Sequence, residues 1–398
     1  MAKKKLKVAV LFGGRSSEHE ISIITALDLI TATDTLRFEV LPVYISAAGR
    51  WYTGDALLER SFYKQLAKNL APEAGLVQEV TLLPIPGELG LRRIKHGAPV
   101  LAARRVIPVD VYFPAFHGQF GEDGCLQGLF EMADVAYTGS NVLASSMAMS
   151  KYACKLFLQA HGIPVLPAAL VQKDEVVSGL AEVRQRIRTT PGLEQFPLFI
   201  KPCNLGSSVG IGRAENEAEL DAALAKVFRY DYQAIVEPCV SDMFEINVSV
   251  LDQTSPRASV VEIPVSGGGT LTYEDKYVRG AKKGPSQGMA SLVRVIDPPD
   301  LPQETKQKVI QSALLASRVL GSGGVSRFDF IVDKRSGLLY FNELNPFPGS
   351  MAYYLWAKST PRLLYTEMIT TIVERALAVH QTKASLQRDF GFKALFSA

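Results

Sequence analysis

Read for its alternation of hydrophobic and polar positions, the chain opens with a buried strand over Val8–Phe12 and a Gly13-Gly14 turn. A helical pattern running through Ile30 and a second strand over Phe38–Ile45 follow. Strand, crossover helix and strand in that order predict an open parallel sheet. From Gly49 to Arg105 the periodicity weakens into Gly/Pro punctuation, an elaboration of the first unit without recognisable chemistry. Val106–Ala115 reads as one further buried strand that runs into the polar, glycine-rich stretch from His117 to Gly124. Strands that end in glycines and ionisable groups are good places for a site.

A second unit begins near Ser140, where Ser150 is placed to cap a helix from Lys151 that stops at Gly162, with Pro164 just beyond. Phe196–Lys201, Ala234–Val240 and Glu245–Leu251 read as strands, the first followed by the loop Pro202–Gly212. Ser266–Gly288 is polar and fits no regular element, which in a compact domain marks a lid. Pro302–Leu320 is an amphipathic helix. Arg327–Val332 and Leu338–Leu344 form a hairpin through Lys334–Gly337, and a helix around Pro361–Val379 closes the unit before a loosely held end.

Composition narrows the class. The 398 residues, 47% of them hydrophobic and 21% charged, predict two or three globular domains. With 43 basic against 40 acidic side chains and no Lys/Arg stripe, nothing favours a nucleic-acid partner, and Lys3-Lys4-Lys5 reads as a solvated end. No window approaches the roughly 18 apolar residues of a membrane span, and the start leads into a strand instead of a signal-peptide core, so a cytoplasmic protein without a membrane partner is expected. The four cysteines, Cys125, Cys154, Cys203 and Cys239, form no CxxC pair, which argues against a zinc site or a disulfide framework.

Candidate chemistry concentrates in the final hairpin. Arg327 and Asp329 are two apart on one strand, Glu343 and Asn345 two apart on the next, so each pair shares a face. Asp, Glu and Asn oxygens are hard ligands suited to magnesium, which takes one or two carboxylates and completes its shell with water and substrate phosphate; a surface salt-bridge cluster is the plainer reading. The loop after Lys201, with Ser207 and Ser208 among its glycines, has the composition that lets backbone N–H groups close around phosphate. It is no Walker loop, because the lysine precedes the glycines. Combined with the carboxylates and with Lys151 and Lys201, it favours a nucleoside triphosphate over a plain connector. Gly13-Gly14-Arg15-Ser16-Ser17-Glu18 opens a helix but does not satisfy GxGxxG, and Glu18 at the helix start suits a cationic amine better than a pyrophosphate. His117 ends a buried strand beside Gly118 and Glu122.

The blocks LFGGRSSEHEIS, AFHGQFGEDGCLQG, YTGS, KPCNLGSSVG, EDKY, SRFDF and NELN occur in order within residues 8–349. In this the chain resembles the D-alanine–D-alanine ligases of the ATP-grasp superfamily. The resemblance implies an α/β fold: an N-terminal Rossmann-like parallel-sheet domain (residues 1–139), a central ATP-grasp subdomain (140–237) and a C-terminal one (238–398). ATP would lie between the last two. It further implies that Glu18 and His117 bind the ammonium of the first D-alanine, that Ser207 and Tyr277 bridge to Glu18, and that Lys276 and Tyr277 belong to the lid. Lys151, Lys201, Ser207 and Ser208 would contact ATP phosphates, Glu237–Val240 would form the adenine hinge, and Glu245 would meet the ribose. Asp329, Glu343 and Asn345 would hold two magnesium or manganese ions, Arg327 and the Gly349 N–H would stabilise an oxyanion, and a homodimer is implied. Where the family commonly has a serine for the carboxylate of the second D-alanine, this chain has Tyr354. A ligase that joins D-alanine to D-serine, D-lactate or another amino acid is therefore the near alternative. A non-catalytic ATP-binding protein of this fold is the distant one.

Overall fold

The computed structural model describes residues 4–66, 75–95, 106–206, 209–265 and 294–388. Sixteen strands among them fall into three sheets. The first holds β1 (Leu6–Gly13), β2 (Phe38–Ile45), β3 (Trp51–Thr53), β4 (Gln78–Thr81), β5 (Gly90–Arg93), β6 (Val106–Pro108) and β7 (Val111–Pro114) in the order β6-β5-β4-β3-β2-β1-β7. Around β1 the pairing is parallel, as the strand–helix–strand pattern predicts, with the helix His19–Ala32 as the crossover. The weakly patterned elaboration adds β3, β4 and β5 as short antiparallel strands.

Val106–Ala115 is not one strand. Its first half, β6, pairs with β5, and its second half, β7, pairs with β1 at the opposite end of the sheet order. The changeover falls at Val109 and Asp110, where the Val109 N–H donates to the Leu89 carbonyl and the Asp110 N–H to the Lys7 carbonyl. The Asp110 carboxylate also accepts from the Lys7 N–H at 2.7 Å. A run that is apolar throughout gave no sign of this, because both halves are extended and the sheet curls until its two edges meet on one segment.

The second sheet is antiparallel, in the order β10-β9-β11-β8, with β8 at Ala169–Gln172, β9 at Leu198–Pro202, β10 at Gly212–Ala214 and β11 at Gln233–Pro238. Leu198, Ile200 and Val236 pack against Leu220 and Leu224 of the helix Glu217–Val227. The third sheet runs β14-β13-β12-β15-β16, from β12 (Met243–Leu251), β13 (Arg257–Pro264), β14 (Arg294–Ile296), β15 (Val325–Asp333) and β16 (Leu339–Asn345). Ile246, Val248, Phe328, Phe330 and Phe341 turn inward on Val309, Ala313 and Ala316 of the helix Gln303–Leu320. The period of two then commits Glu245, Asn247, Arg327 and Asp329 to the opposite face. The closing helix runs Tyr365–Ala384, later than the sequence suggests, because Pro361 to Leu364 form a separate connection and Glu367 caps the Leu364 N–H. The segment Ser266–Gly288, read as a lid, lies outside the described residues.

Candidate active site

A cleft of about 630 Å³ opens where the second and third sheets meet loops of the first. Its walls bring together Glu18, His117, Lys151, Lys201, Glu237, Val240, Glu245, Arg327, Asp329, Glu343, Asn345 and Gly349, residues that the sequence scatters over more than three hundred positions. Ser207, Ser208, Lys276 and Tyr277 lie outside the described residues.

The first wall is built by short-range constraints. Ser22 of the first helix accepts the Gly13 N–H at 2.8 Å and donates to the Ala115 carbonyl at 2.6 Å, tying the ends of β1 and β7 to the helix start. Glu18 sits at that start, buried, with its N–H on Ser16 Oγ. Its carboxylate lies against two glycines: a Cβ on Gly118 or Gly206 would come within 3.0 Å or 3.3 Å of Glu18 Oε2. Buried His117 reaches Thr25 Oγ1 at 2.9 Å. Burial holds its pKa below the usual histidine range, against the pull of Glu18. Glu122, which the sequence reading named only in passing, accepts from the Gly118 N–H at 2.5 Å and the Phe347 N–H at 3.1 Å, so one carboxylate joins the His117–Gly124 loop to the loop after β16.

Lysines gather on the second wall. Ser150 caps the helix Lys151–Ala160 through the Ala153 N–H, as predicted, and sets Lys151 at its first turn. The Lys151 ammonium bonds the Leu205 carbonyl and lies 3.5 Å from Glu343. Lys201 reaches Glu237 at 2.7 Å and Asn342 Oδ1 at 3.0 Å. Lys155, one turn after Lys151, pairs with the same Glu237; both partners are buried. Burial alone would raise the Glu237 pKa, but the two lysines outweigh it and hold the carboxylate at about 2. The segment from Glu237 to Val240 leads from the second sheet into the third. Asp231 accepts from the backbone and side chain of Asn204 and so fixes the start of the glycine loop.

The third wall carries the acid groups. Asp329 and Glu343 are register partners on β15 and β16, as are Arg327 and Asn345. A bulge beside Asp329 makes Phe330 pair with Phe341, leaving Asn342 as the extra residue that meets Lys201. Arg327 grips Asp329 with two hydrogen bonds of 2.6 Å and 2.7 Å, and Asn345 Nδ2 adds a third at 3.1 Å. Burial lifts the Asp329 pKa to about 6, with Arg327 pulling against it and Glu343 and Glu245 adding to it. Among the described residues no group of three or more His, Cys, Asp or Glu side chains surrounds a common point. Two carboxylates and an amide are nevertheless the hard-oxygen set that suits a magnesium ion whose remaining positions are filled by phosphate and water. Pro348 leads into Gly349, followed by Ser350, Met351 and Ala352, all with φ near +50°. Three L-residues in the left-handed region store strain of order 1–3 kcal/mol each, and such strain collects at sites. Tyr354, beyond that turn, donates to Glu262 at 2.9 Å.

The sequence reading missed Lys155, Glu262, Arg294 and Asn342. Lys155 was detectable from its spacing of four from Lys151 on one helix; the bulge that aims Asn342 leaves no sequence signal.

Comparison with known proteins follows the same outline. A model described as D-ala D-ala ligase N-terminus matches residues 7–140, and one described as D-ala D-ala ligase C-terminus matches 157–374. The chain is 35% identical over 395 residues to a D-alanine–D-alanine ligase A of Bradyrhizobium diazoefficiens, covering 97% of this chain and 99% of that protein. Among solved structures, the D-alanine–D-alanine ligase of Coxiella burnetii superposes with a TM-score of 0.79 at 28% identity, covering 99% of this chain and 100% of that one. A D-Ala:D-Ser ligase of Enterococcus faecalis superposes at 0.75 and 26% identity, covering 94% and 100%.

Proposed function

This chain belongs to the D-alanine–D-alanine ligase family, and from that membership we propose that it joins two D-alanine molecules at the expense of ATP, in the cytoplasm, for peptidoglycan precursor synthesis. The observation that carries the reading is the convergence, in one cleft, of an amine-binding carboxylate, two phosphate-neutralising lysines and a hard-oxygen cation set.

The first D-alanine places its ammonium at Glu18, beside His117 kept neutral by burial. Lys151 and Lys201 neutralise ATP phosphates, held in place by Leu205, Glu237 and Asn342. Asp329, Glu343 and Asn345 would hold magnesium, which when bound screens charge on the transferring phosphoryl group. The γ-phosphoryl passes from ATP to a carboxylate oxygen of the first D-alanine, giving an acylphosphate as its bond to the β-phosphate oxygen breaks and ADP leaves. The amine nitrogen of the second D-alanine then attacks the acyl carbon: the C–N bond forms, the C–O bond to phosphate breaks, the nitrogen gives up one proton to the departing phosphate or to water, and phosphate leaves. Arg327 and the Gly349 N–H stabilise the tetrahedral oxyanion, a contribution of about 3 to 4 kcal/mol for such a donor. Ser207 and Tyr277 bridge to Glu18, Ser208 cradles phosphate, Lys276 serves the lid, Val240 and Glu237 bind adenine, and Glu245 binds the ribose. We assign residues 1–139, 140–237 and 238–398 to three domains and expect a homodimer.

D-Alanine labelled in its carboxylate oxygens tests the route. An acylphosphate transfers one labelled oxygen to the released phosphate; unlabelled phosphate would defeat the mechanism.

A further inference from the structure

The helix Lys151–Ala160 carries two lysines one turn apart, and they meet different surroundings. Lys151 lines the cleft, whereas Lys155 is 2% exposed and stands behind the wall, where its ammonium donates to Glu237 Oε1. From the cleft side, Lys201 Nζ lies 2.7 Å from the other oxygen of the same carboxylate and donates to Asn342 Oδ1 at 3.0 Å. Glu237 is itself only 1% exposed. A carboxylate buried to that degree and held ionised needs a cation against it, and here it has two. The mechanism uses Lys201 and leaves Lys155 without a role. Two lysines and one glutamate carry a net charge of +1. Lys201 and Glu237 line the cleft and Lys155 does not, so the surplus charge reaches the cleft through Lys201.

Resting on the ligase reading above, we propose that Lys155 is a positioning residue for ATP: by neutralising Glu237 from behind, it leaves the charge of Lys201 free for phosphate. Glu237 holds Lys201 in place for the cleft, but at 2.7 Å it is as close as a phosphate oxygen in a charge-assisted pair. Carboxylate and phosphate therefore compete for one ammonium. Without Lys155 the remaining Glu237–Lys201 pair would be neutral as a unit, and the interior screens that cancellation far less than water does. Glu343 and Glu245 add their own pull on Lys201, which makes a cation behind the wall more necessary. A lysine kept only to satisfy a buried glutamate would act through the fold, on every part of the nucleotide alike. A lysine that sets the charge of Lys201 acts on the phosphates alone.

The test is ATP binding to the full-length protein, with magnesium and without D-alanine, by titration calorimetry, beside adenosine measured as a competitor of ATP. Lys155→Met should weaken ATP binding about 10-fold or more, the scale of one charge-assisted hydrogen bond, and leave adenosine within about twofold. Combining Lys155→Met with Glu237→Gln removes one charge of each sign and returns the group to its original net charge. The double variant should therefore bind ATP within about threefold of wild type, and more tightly than the Lys155→Met variant it contains. If Lys155→Met does not fold, the double variant decides, because it leaves no buried charge unpaired. Unchanged ATP affinity in Lys155→Met, equal losses for ATP and adenosine, or a double variant about 10-fold or more weaker than wild type would overturn the inference and leave the ligase reading standing. Failure of wild type to bind ATP would overturn both.

Discussion

Lys201 and Glu237, on neighbouring strands of the second sheet, form a 2.7 Å ion pair that Lys155 closes from the helix Lys151–Ala160. Lys201, which we propose neutralises phosphate, is therefore held by a carboxylate that is itself fully buried. Glu237→Gln leaves the buried Lys155 short of its counter-charge, and the expected loss is about 3 to 5 kcal/mol of unfolding free energy in urea, the cost of breaking such a pair.

The same carboxylate sets an acid limit. Its folded pKa of about 2 lies below the ordinary 4.5, so its stabilising contribution is complete above 4.5 and is lost as pH falls from there toward 2. Unfolding midpoints measured between pH 5 and pH 2 should fall more steeply in wild type than in Glu237→Gln.

His117 acts in a higher window. Burial depresses its pKa below 6.5, so its contribution is complete above 6.5 and declines as pH falls through that value toward the lowered one. Wild type should lose stability on going from pH 7 to pH 5.5, and His117→Gln should show less of that loss.

Glu343→Gln removes one of the two facing carboxylates without emptying the hairpin. Turnover should fall at least about a hundredfold and require more magnesium, while the unfolding midpoint shifts little, since the residue is only partly buried. Near-normal ligation at ordinary magnesium would refute the metal assignment.

Gly118 has φ +81°, and a Cβ there would lie 2.4 Å from Ser16 Oγ and 3.0 Å from Glu18 Oε2. Gly118→Ala should cost about 1 to 2 kcal/mol of stability. It should also raise the first-site KM more than the ATP KM, because the displaced groups lie at the amine end of the cleft.

How much of this was legible in the chain depends on the kind of signal. The facing of Asp329 and Glu343 followed from a period of two in strands whose other positions are apolar. The Ser150 cap followed from a hydroxyl before a periodic run. Asn342 was hidden because a bulge breaks the period beside Asp329. Lys155 showed its spacing of four from Lys151, but its role did not, because it occupies a buried position of an otherwise apolar helix face, where a lysine looks misplaced until Glu237 is seen opposite. Arg294 and Glu262 border a polar run without periodicity, so nothing local marked β13 and β14 as neighbours. The split of Val106–Ala115 between two sheet edges is a fact of tertiary closure that no local pattern carries.

The joining of two D-alanine molecules is tested most directly by identifying, by mass spectrometry, the product formed from ATP, magnesium and D-alanine, alone and in competition with equal D-serine or D-lactate. D-Alanyl-D-alanine should be the dominant product in every mixture, formed one for one with ADP. A dominant mixed product, or no product from D-alanine alone, would contradict it.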